Sequence, residues 1–361
     1  MSSNPFIKTT KKIAFISSCL SLAFLLLSCD SNQSESIPTP KPTFKLPSSI
    51  GIVGDTSNVN VSSSFGTVLM GGSTDVDAAM KWMINKSKGG DVIVLRATGS
   101  TGYNQYLYDL VKADGKSQVN SVETLLINSA ELANNPKVAE RIKQAEMVFI
   151  AGGDQFNYIS YWKNTLVEDA LNYLITTKKI PIGGTSAGCA IMGDAVYTAE
   201  KGSVTSAEAL ANPYNANMTI QRDFVNNPYL KNTITDTHYN NPDRKGRHFT
   251  FLARLLKDFS ITTPKGIGVE EETAVCIDEN GKAIVFGNGT AYFLNAKEGA
   301  PENCSSATPL NWVINKKAVQ VYTISGNNTS GNGSFDLTNW STVSGGTYKN
   351  MYCTNGVLTI E

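Results

Sequence analysis

Residues 180–193 read Ile-Pro-Ile-Gly-Gly-Thr-Ser-Ala-Gly-Cys-Ala-Ile-Met-Gly, with Ser186 between Gly184 and Gly188. A short apolar run passes through a glycine pair to the serine. It then continues into small residues that can open a helix. This is the strand–turn–helix layout of a nucleophile elbow. The bend is tight, so the positions two before and two after the serine must be small. The hydroxyl is pushed out of the sheet plane, and the first N–H groups of the helix face the same space. A nucleophile that builds an oxyanion beside it needs that arrangement. The plainer reading is a glycine-rich turn whose serine caps the helix.

Outward from the elbow the chain alternates. Strand patterns at 65–71, 91–96, 121–127, 146–151 and 180–185 are separated by helix patterns at 76–86, 103–113 and 135–145, and by a helical stretch ending near 177. Asn135-Pro136 is a cap and first-position pair. The strands are continuous apolar runs, which predicts an α/β fold with a mostly parallel sheet covered on both faces. Sites in such sheets gather at the carboxyl ends of the strands. Gly71-Gly72, Gly152-Gly153-Asp154-Gln155 and Ser186 all fall there. Beyond residue 232 the pattern predicts a strand at 233–236, a loop with His238 and a helix at 246–256. Strands follow at 266–269, 273–278, 282–286 and 291–294, with Asp278-Glu279-Asn280-Gly281 as a hairpin turn. From 311 the chain is polar and strand-like at 318–324 and 357–360, which reads as a C-terminal β-rich extension, either a small β appendage or an extension of the sheet edge.

The 361 residues are 41% hydrophobic and 17% charged, the composition of an ordinary globular protein. Setting aside the first 28 residues, with Lys8, Lys11 and Lys12, leaves 28 basic against 31 acidic residues. No basic surface for nucleic acid results. Those lysines form a positive n-region, and 13–28 is uncharged and mostly apolar. The segment ends Leu26-Leu27-Ser28-Cys29, which resembles a bacterial lipobox. That resemblance implies cleavage before Cys29 and lipidation of its thiol, enough for a stable anchor. A plain secretory signal or an uncleaved anchor are the alternatives. The expected organisation is a signal peptide at 1–28, a disordered tether at 29–49, an α/β body at 50–300 and the β-rich extension at 301–361. The expected location is the bacterial cell envelope, on the periplasmic face or the cell surface. Of six cysteines, Cys19 leaves with the signal, and Cys189 and Cys276 read as small core residues. Cys304 and Cys353 fall in polar loops, where export permits a disulfide. No Cys/His spacing suggests a zinc site, and no metal or organic cofactor is implied.

Only two histidines occur, His238 and His248. If an imidazole activates Ser186, one of them supplies it. His238 stands in Asp236-Thr237-His238-Tyr239, just after a strand end, where a loop can reach the site. Its plainer reading is a loop histidine satisfied by Asp236. His248 lies inside a predicted helix and suits packing. The group that orients the ring is either Asp236 or one of Glu270-Glu271-Glu272, which follow an apolar strand directly.

Four blocks occur in order: Gly152-Gly153-Asp154-Gln155; Gly184-Thr185-Ser186-Ala187-Gly188; Asp236-Thr237-His238-Tyr239 with Arg244 and Arg247; and the segment at 266–274 that contains the three glutamates. Together they resemble the cyanophycinase and dipeptidase E family of serine peptidases, over residues 65–294. The resemblance implies a flavodoxin-like sandwich, similar to class I glutamine amidotransferases. It implies Ser186 as nucleophile, His238 as base and Glu271 as the acid behind it. Backbone N–H groups of Gly153 or Asp154, and of Ala187, would form the oxyanion site. Gln155 would lie at the substrate, with Asp236 beside it as a supporting acid. Arg244 and Arg247 match family arginines suited to a substrate carboxylate, with a solvated helix start or a structural ion pair as the plainer reading of each. Tyr239 and Glu270 depart from the family's phenylalanine and aspartate, and Pro242 stands where an arginine is common. The expected function is an exported serine peptidase that cuts next to aspartyl residues. Its expected partners are an aspartyl peptide and a membrane, with no nucleic acid; a homodimer stays open. The alternatives are a lipoprotein esterase or acyl hydrolase, and a non-catalytic binding lipoprotein on the same fold.

Overall fold

The elbow strand, Pro181–Thr185, lies in the middle of a ten-stranded sheet. A computed structural model of the chain describes residues 46–361. The expected signal peptide, Cys29 and the tether up to 45 lie outside the described residues. Across the sheet the order is Ser49–Gly54, Ser121–Leu126, Asp91–Arg96, Met147–Ile150, Pro181–Thr185, Gly66–Met70, Thr273–Asp278, Lys282–Gly287, Asn332–Asp336 and Val343–Ser344. The five strands from Ser121–Leu126 to Gly66–Met70 run parallel. They are buried on both faces, which is why they read as unbroken apolar runs.

The remaining strands pair antiparallel, so the sheet is mixed and not mostly parallel. Apolar content does not set strand direction; connection length does. A parallel neighbour needs a crossover of roughly a dozen residues, whereas Thr273–Asp278 returns directly through a hairpin. Its turn is held by Asp278, whose carboxylate accepts from the N–H groups of Asn280 and Lys282, each at 2.9 Å. The edge strand Ser49–Gly54 is also a difference from the sequence reading. Ser48 is buried, and the sheet begins at the position where the tether was expected to end.

A second sheet of eight strands was not foreseen. Its order is Ile220–Arg222, Ala195–Tyr197, Thr233–Asp236, Lys265–Val269, Thr290–Asn295, Val319–Ser325, Thr347–Thr354 and Val357–Ile360. Thr233–Asp236 and Lys265–Val269 are parallel neighbours. The residues after 300 therefore enter both sheets at their edges.

Alternation along Gly66–Met70 separates two cores, as the two-residue period of a strand requires. Val68 and Met70 join Met80, Met83 and Leu107, from the helices Asp77–Ser87 and Gly102–Leu110. Leu69 joins the opposite core with Ile182, Trp162 and Leu171, and with Ile267 and Phe293 of the second sheet. The helix Gly102–Leu110 is shorter than its pattern because Lys112–Ala113 pairs with Lys116–Ser117 across Asp114-Gly115. Asn135 caps Pro136–Gln144 as expected, accepting from Lys137 N at 2.9 Å.

Cys304 and Cys353 correct the sequence reading. Both are buried and unbridged in a core beneath the second sheet; Cys304 lies in a loop as read, whereas Cys353 lies on the strand Thr347–Thr354. Cys189 and Cys276 are fully buried and free. No helix among the described residues is long and apolar enough to cross a membrane.

Candidate active site

Ser186 sits where Pro181–Thr185 turns into the short helix Ala187–Ala190. Its backbone is left-handed, with φ 52° and ψ −117°, a conformation that a non-glycine residue holds only under constraint. The flanking glycines are needed by close approach. A Cβ on Gly184 would lie 2.6 Å from the Gly188 carbonyl carbon, and one on Gly188 would lie 2.1 Å from Ile150 O. The size rule read from the sequence is therefore a contact between the elbow and the neighbouring strand.

His238 follows Thr233–Asp236 of the second sheet, also at positive φ, 47°. Its ring reaches across to the first sheet, and Nε2 lies 2.8 Å from Ser186 Oγ. Nδ1 lies 2.7 Å from Glu271 Oε1. A carboxylate only accepts, so Nδ1 carries the proton and Nε2 is left to accept from the serine hydroxyl. The hydrogen bond from His238 holds the Glu271 carboxyl below the usual carboxylate range.

Glu271 is the one glutamate of its run that faces the histidine. Glu270 accepts from Thr290 N at 2.8 Å and Tyr292 Oη at 2.9 Å, and Glu272 accepts from Asn288 Nδ2 at 3.1 Å. Two residues that sequence reasoning missed support Glu271. Asn240 Oδ1 accepts from its backbone N–H at 3.0 Å, and Asn241 Nδ2 donates to Oε2 at 3.4 Å. Their place in the loop after His238 was the available signal.

The turn at 152–154 lies against the nucleophile: a Cβ on Gly152 would come within 3.4 Å of Ser186 Cβ. Gly153 and Asp154 follow directly and are exposed. The Asp154 side chain caps the helix Gln155–Trp162, accepting from Phe156 N at 2.9 Å. Gln155 is half-buried and donates to Tyr197 O at 3.4 Å.

Asp236 and Arg247 do not face a substrate. Both are buried, and Arg247 grips the carboxylate through two nitrogens, at 2.8 and 2.5 Å. Arg247 also reaches Ser203 Oγ at 3.1 Å. The two residues expected at the substrate are instead a closed internal ion pair beneath the His238 loop. Burial alone would raise the Asp236 carboxyl, but the Arg247 charge and its hydrogen bonds outweigh that and hold it low. Arg244 differs. It is half-buried, its Nη1 donates to Thr237 O at 3.0 Å, and its buried Nε has no partner among the described residues. His248 is a core residue. Its Nε2 lies 3.2 Å from the Ile234 carbonyl, which only accepts, so Nδ1 accepts from Tyr239 Oη at 3.1 Å. Among the described residues no group of three or more His, Cys, Asp or Glu is placed to hold a metal ion.

A hydroxyl, an imidazole and a carboxylate in hydrogen-bonded sequence, beside a helix start, can perform acyl transfer. Comparison with known proteins agrees in kind. Residues 63–285 match the model of Peptidase family S51, and the chain belongs to that family. It is 25% identical over 181 residues to a cyanophycinase of Synechococcus elongatus, covering 50% of this chain and 51% of that protein. It is 24% identical over 177 residues to a cyanophycinase of Trichormus variabilis, covering 49% and 54%. The chain thus spans about half the length of the curated relatives it matches. A solved peptidase from an acI-B1 Actinobacterium superposes with a TM-score of 0.46 at 16% identity, over 64% of this chain and 91% of that one.

Proposed function

We propose that this chain is an exported, lipid-anchored serine peptidase that hydrolyses peptide bonds next to aspartyl residues. The observation that carries the reading is the hydrogen-bonded run from Ser186 through His238 to Glu271, at 2.8 and 2.7 Å. Ser186 Oγ attacks the carbonyl carbon as its proton passes to His238 Nε2. The oxyanion is met by N–H groups of Gly153 or Asp154 and of Ala187. The C–N bond then breaks, and the proton on Nε2 leaves with the amine. Water gives a proton to the same nitrogen as it attacks the acyl carbon, and the Oγ–C bond then breaks as Nε2 returns that proton to Ser186 Oγ and the acid product leaves. Glu271 balances the imidazolium in both halves.

Arg244 and Gln155 are the side chains we assign to the aspartyl group. The half-buried guanidinium of Arg244 supports this, since it makes no bidentate pair within the protein and its planar fork suits a carboxylate. Five parallel strands with the elbow at the end of one support a flavodoxin-like core. The anchor rests on the sequence around Cys29. The test is a product analysis on α- and β-linked aspartyl peptides, cyanophycin included, with wild type and Ser186→Ala. Wild type should cleave beside aspartate, and the variant should be inactive yet folded. Equal turnover by both would end the proposal. For the anchor, Cys29→Ala should move the protein from the membrane to the soluble fraction.

A further inference from the structure

Three consecutive carbonyls at the end of Gly66–Met70 each accept from a different catalytic loop. Met70 O accepts from Ser186 N at 3.0 Å, Gly71 O from His238 N at 2.8 Å, and Gly72 O from Glu272 N at 3.0 Å. Gly71 N in turn donates to Thr273 O at 2.9 Å, just past the glutamates. Residues 70–72 therefore tie together segments that arrive from two sheets.

Gly72 adds a contact to the ring itself. A Cβ built on Gly72 would lie 2.5 Å from both Cε1 and Nε2 of His238, and 3.2 Å from Cδ2. Its φ is 102°, which an L side chain rarely adopts. The atoms it would strike include Nε2, the one that takes the serine proton. We propose that Gly72 is a positioning residue for the His238 imidazole: the space left by its absent side chain is the seat of the ring. This rests on the serine-peptidase reading above. A methyl group there forces the ring away by about 1 Å, and a misplacement of that size costs on the order of 100-fold in rate.

The test is Gly72→Ala, with Gly102→Ala as control, because nothing lies within 4 Å of a Cβ at Gly102. Gly72→Ala should lower kcat about 100-fold on an aspartyl peptide with KM changed less than threefold, and Gly102→Ala should match wild type. In a His238→Ala background, Gly72→Ala should cost nothing further, since there is no ring to displace. A purely structural role would still lower the residual rate. In labelled-histidine NMR spectra, Gly72→Ala should move the His238 ring signals and leave those of buried His248 in place. Wild type should itself show contacts between the Gly72 α-protons and the His238 ring. A fully active Gly72→Ala, an additive loss on the His238→Ala background, or missing Gly72–His238 contacts in wild type would each overturn the proposal. Retained turnover in Ser186→Ala would instead strike the peptidase reading, so the two failures are separable.

Discussion

Asp236 and Arg247 close on each other two residues upstream of His238, through paired hydrogen bonds of 2.8 and 2.5 Å. Their side chains are each only 3% exposed. Asp236→Asn leaves a buried guanidinium without its counter-charge and should destabilise the fold by roughly 3–5 kcal/mol. Urea unfolding with an unchanged midpoint would remove the pair from the account. The pH sign follows from the lowered carboxyl. Stability from this group is present above the unfolded aspartate value of about 3.9 and is lost as pH falls below it through the folded value.

Glu271→Gln keeps the shape of the side chain and removes its charge. The amide can present its nitrogen to His238 Nδ1 and select the wrong tautomer. The expected loss in kcat on an aspartyl peptide is about 100-fold to 10,000-fold, with KM little changed. A loss under tenfold would leave Glu271 a bystander.

Arg244→Met keeps the stem and removes the guanidinium. Because the side chain touches Thr237 O and lies 4.0 Å from Asp236 Oδ1 but makes no bidentate internal pair, the fold should tolerate the change. KM for aspartyl peptides should rise more than tenfold, and turnover of a matched peptide lacking the aspartyl carboxylate should not change. Equal effects on both substrates would place Arg244 among the structural residues with Arg247.

His248 makes stability depend on pH between neutrality and the acid range. Burial pushes its imidazole down to about 4. The unfolded chain takes up this proton near pH 6.5, so between there and the folded value unfolding binds a proton and stability falls as pH falls. The loss from pH 7 to pH 5 should be about 2 kcal/mol. Urea titrations should show the gap between wild type and His248→Gln narrowing by that amount. A constant gap would mean that the ring is charged inside the fold.

The buried thiols give a direct readout of core integrity. Burial pushes Cys304 and Cys353 up to about 11, and Cys189 and Cys276 higher still. Alkylation mapped by mass spectrometry should leave all four unmodified in native protein. All four should be labelled after denaturation without reductant. A Cys304–Cys353 bridge would instead keep two of them blocked under denaturing conditions.

What could be read from the sequence was local. The elbow was legible because its size rule acts within five residues, and Asp91–Arg96, Thr273–Asp278 and Val357–Ile360 were bounded to the residue because apolar runs end sharply there. The second sheet was not legible. Ala195–Tyr197 and Ile220–Arg222 are three residues each, too short for a period to register, and their pairing is decided by distant segments. Outside the 278–281 hairpin, strand direction also escaped, because burial looks alike in parallel and antiparallel neighbours. At the site, residue types alone left Asp236 and Glu271 as equal candidates for the acid. Substrate contact and ion pair stayed open for Arg247 because its partner is eleven residues away and nothing local marks either as buried.

Ser186 rides on one sheet, His238 follows a strand of the other, and Glu271 lies in the link between the two. Chemical competence is therefore a property of how the two layers are stacked, and neither carries it alone. A slip of an ångström between them would silence the enzyme with every strand still intact. Heating should thus extinguish turnover before circular dichroism registers any melting, and an inhibitor bonded to the serine while wedged against the imidazole should act as a staple that raises the melting point of the whole molecule.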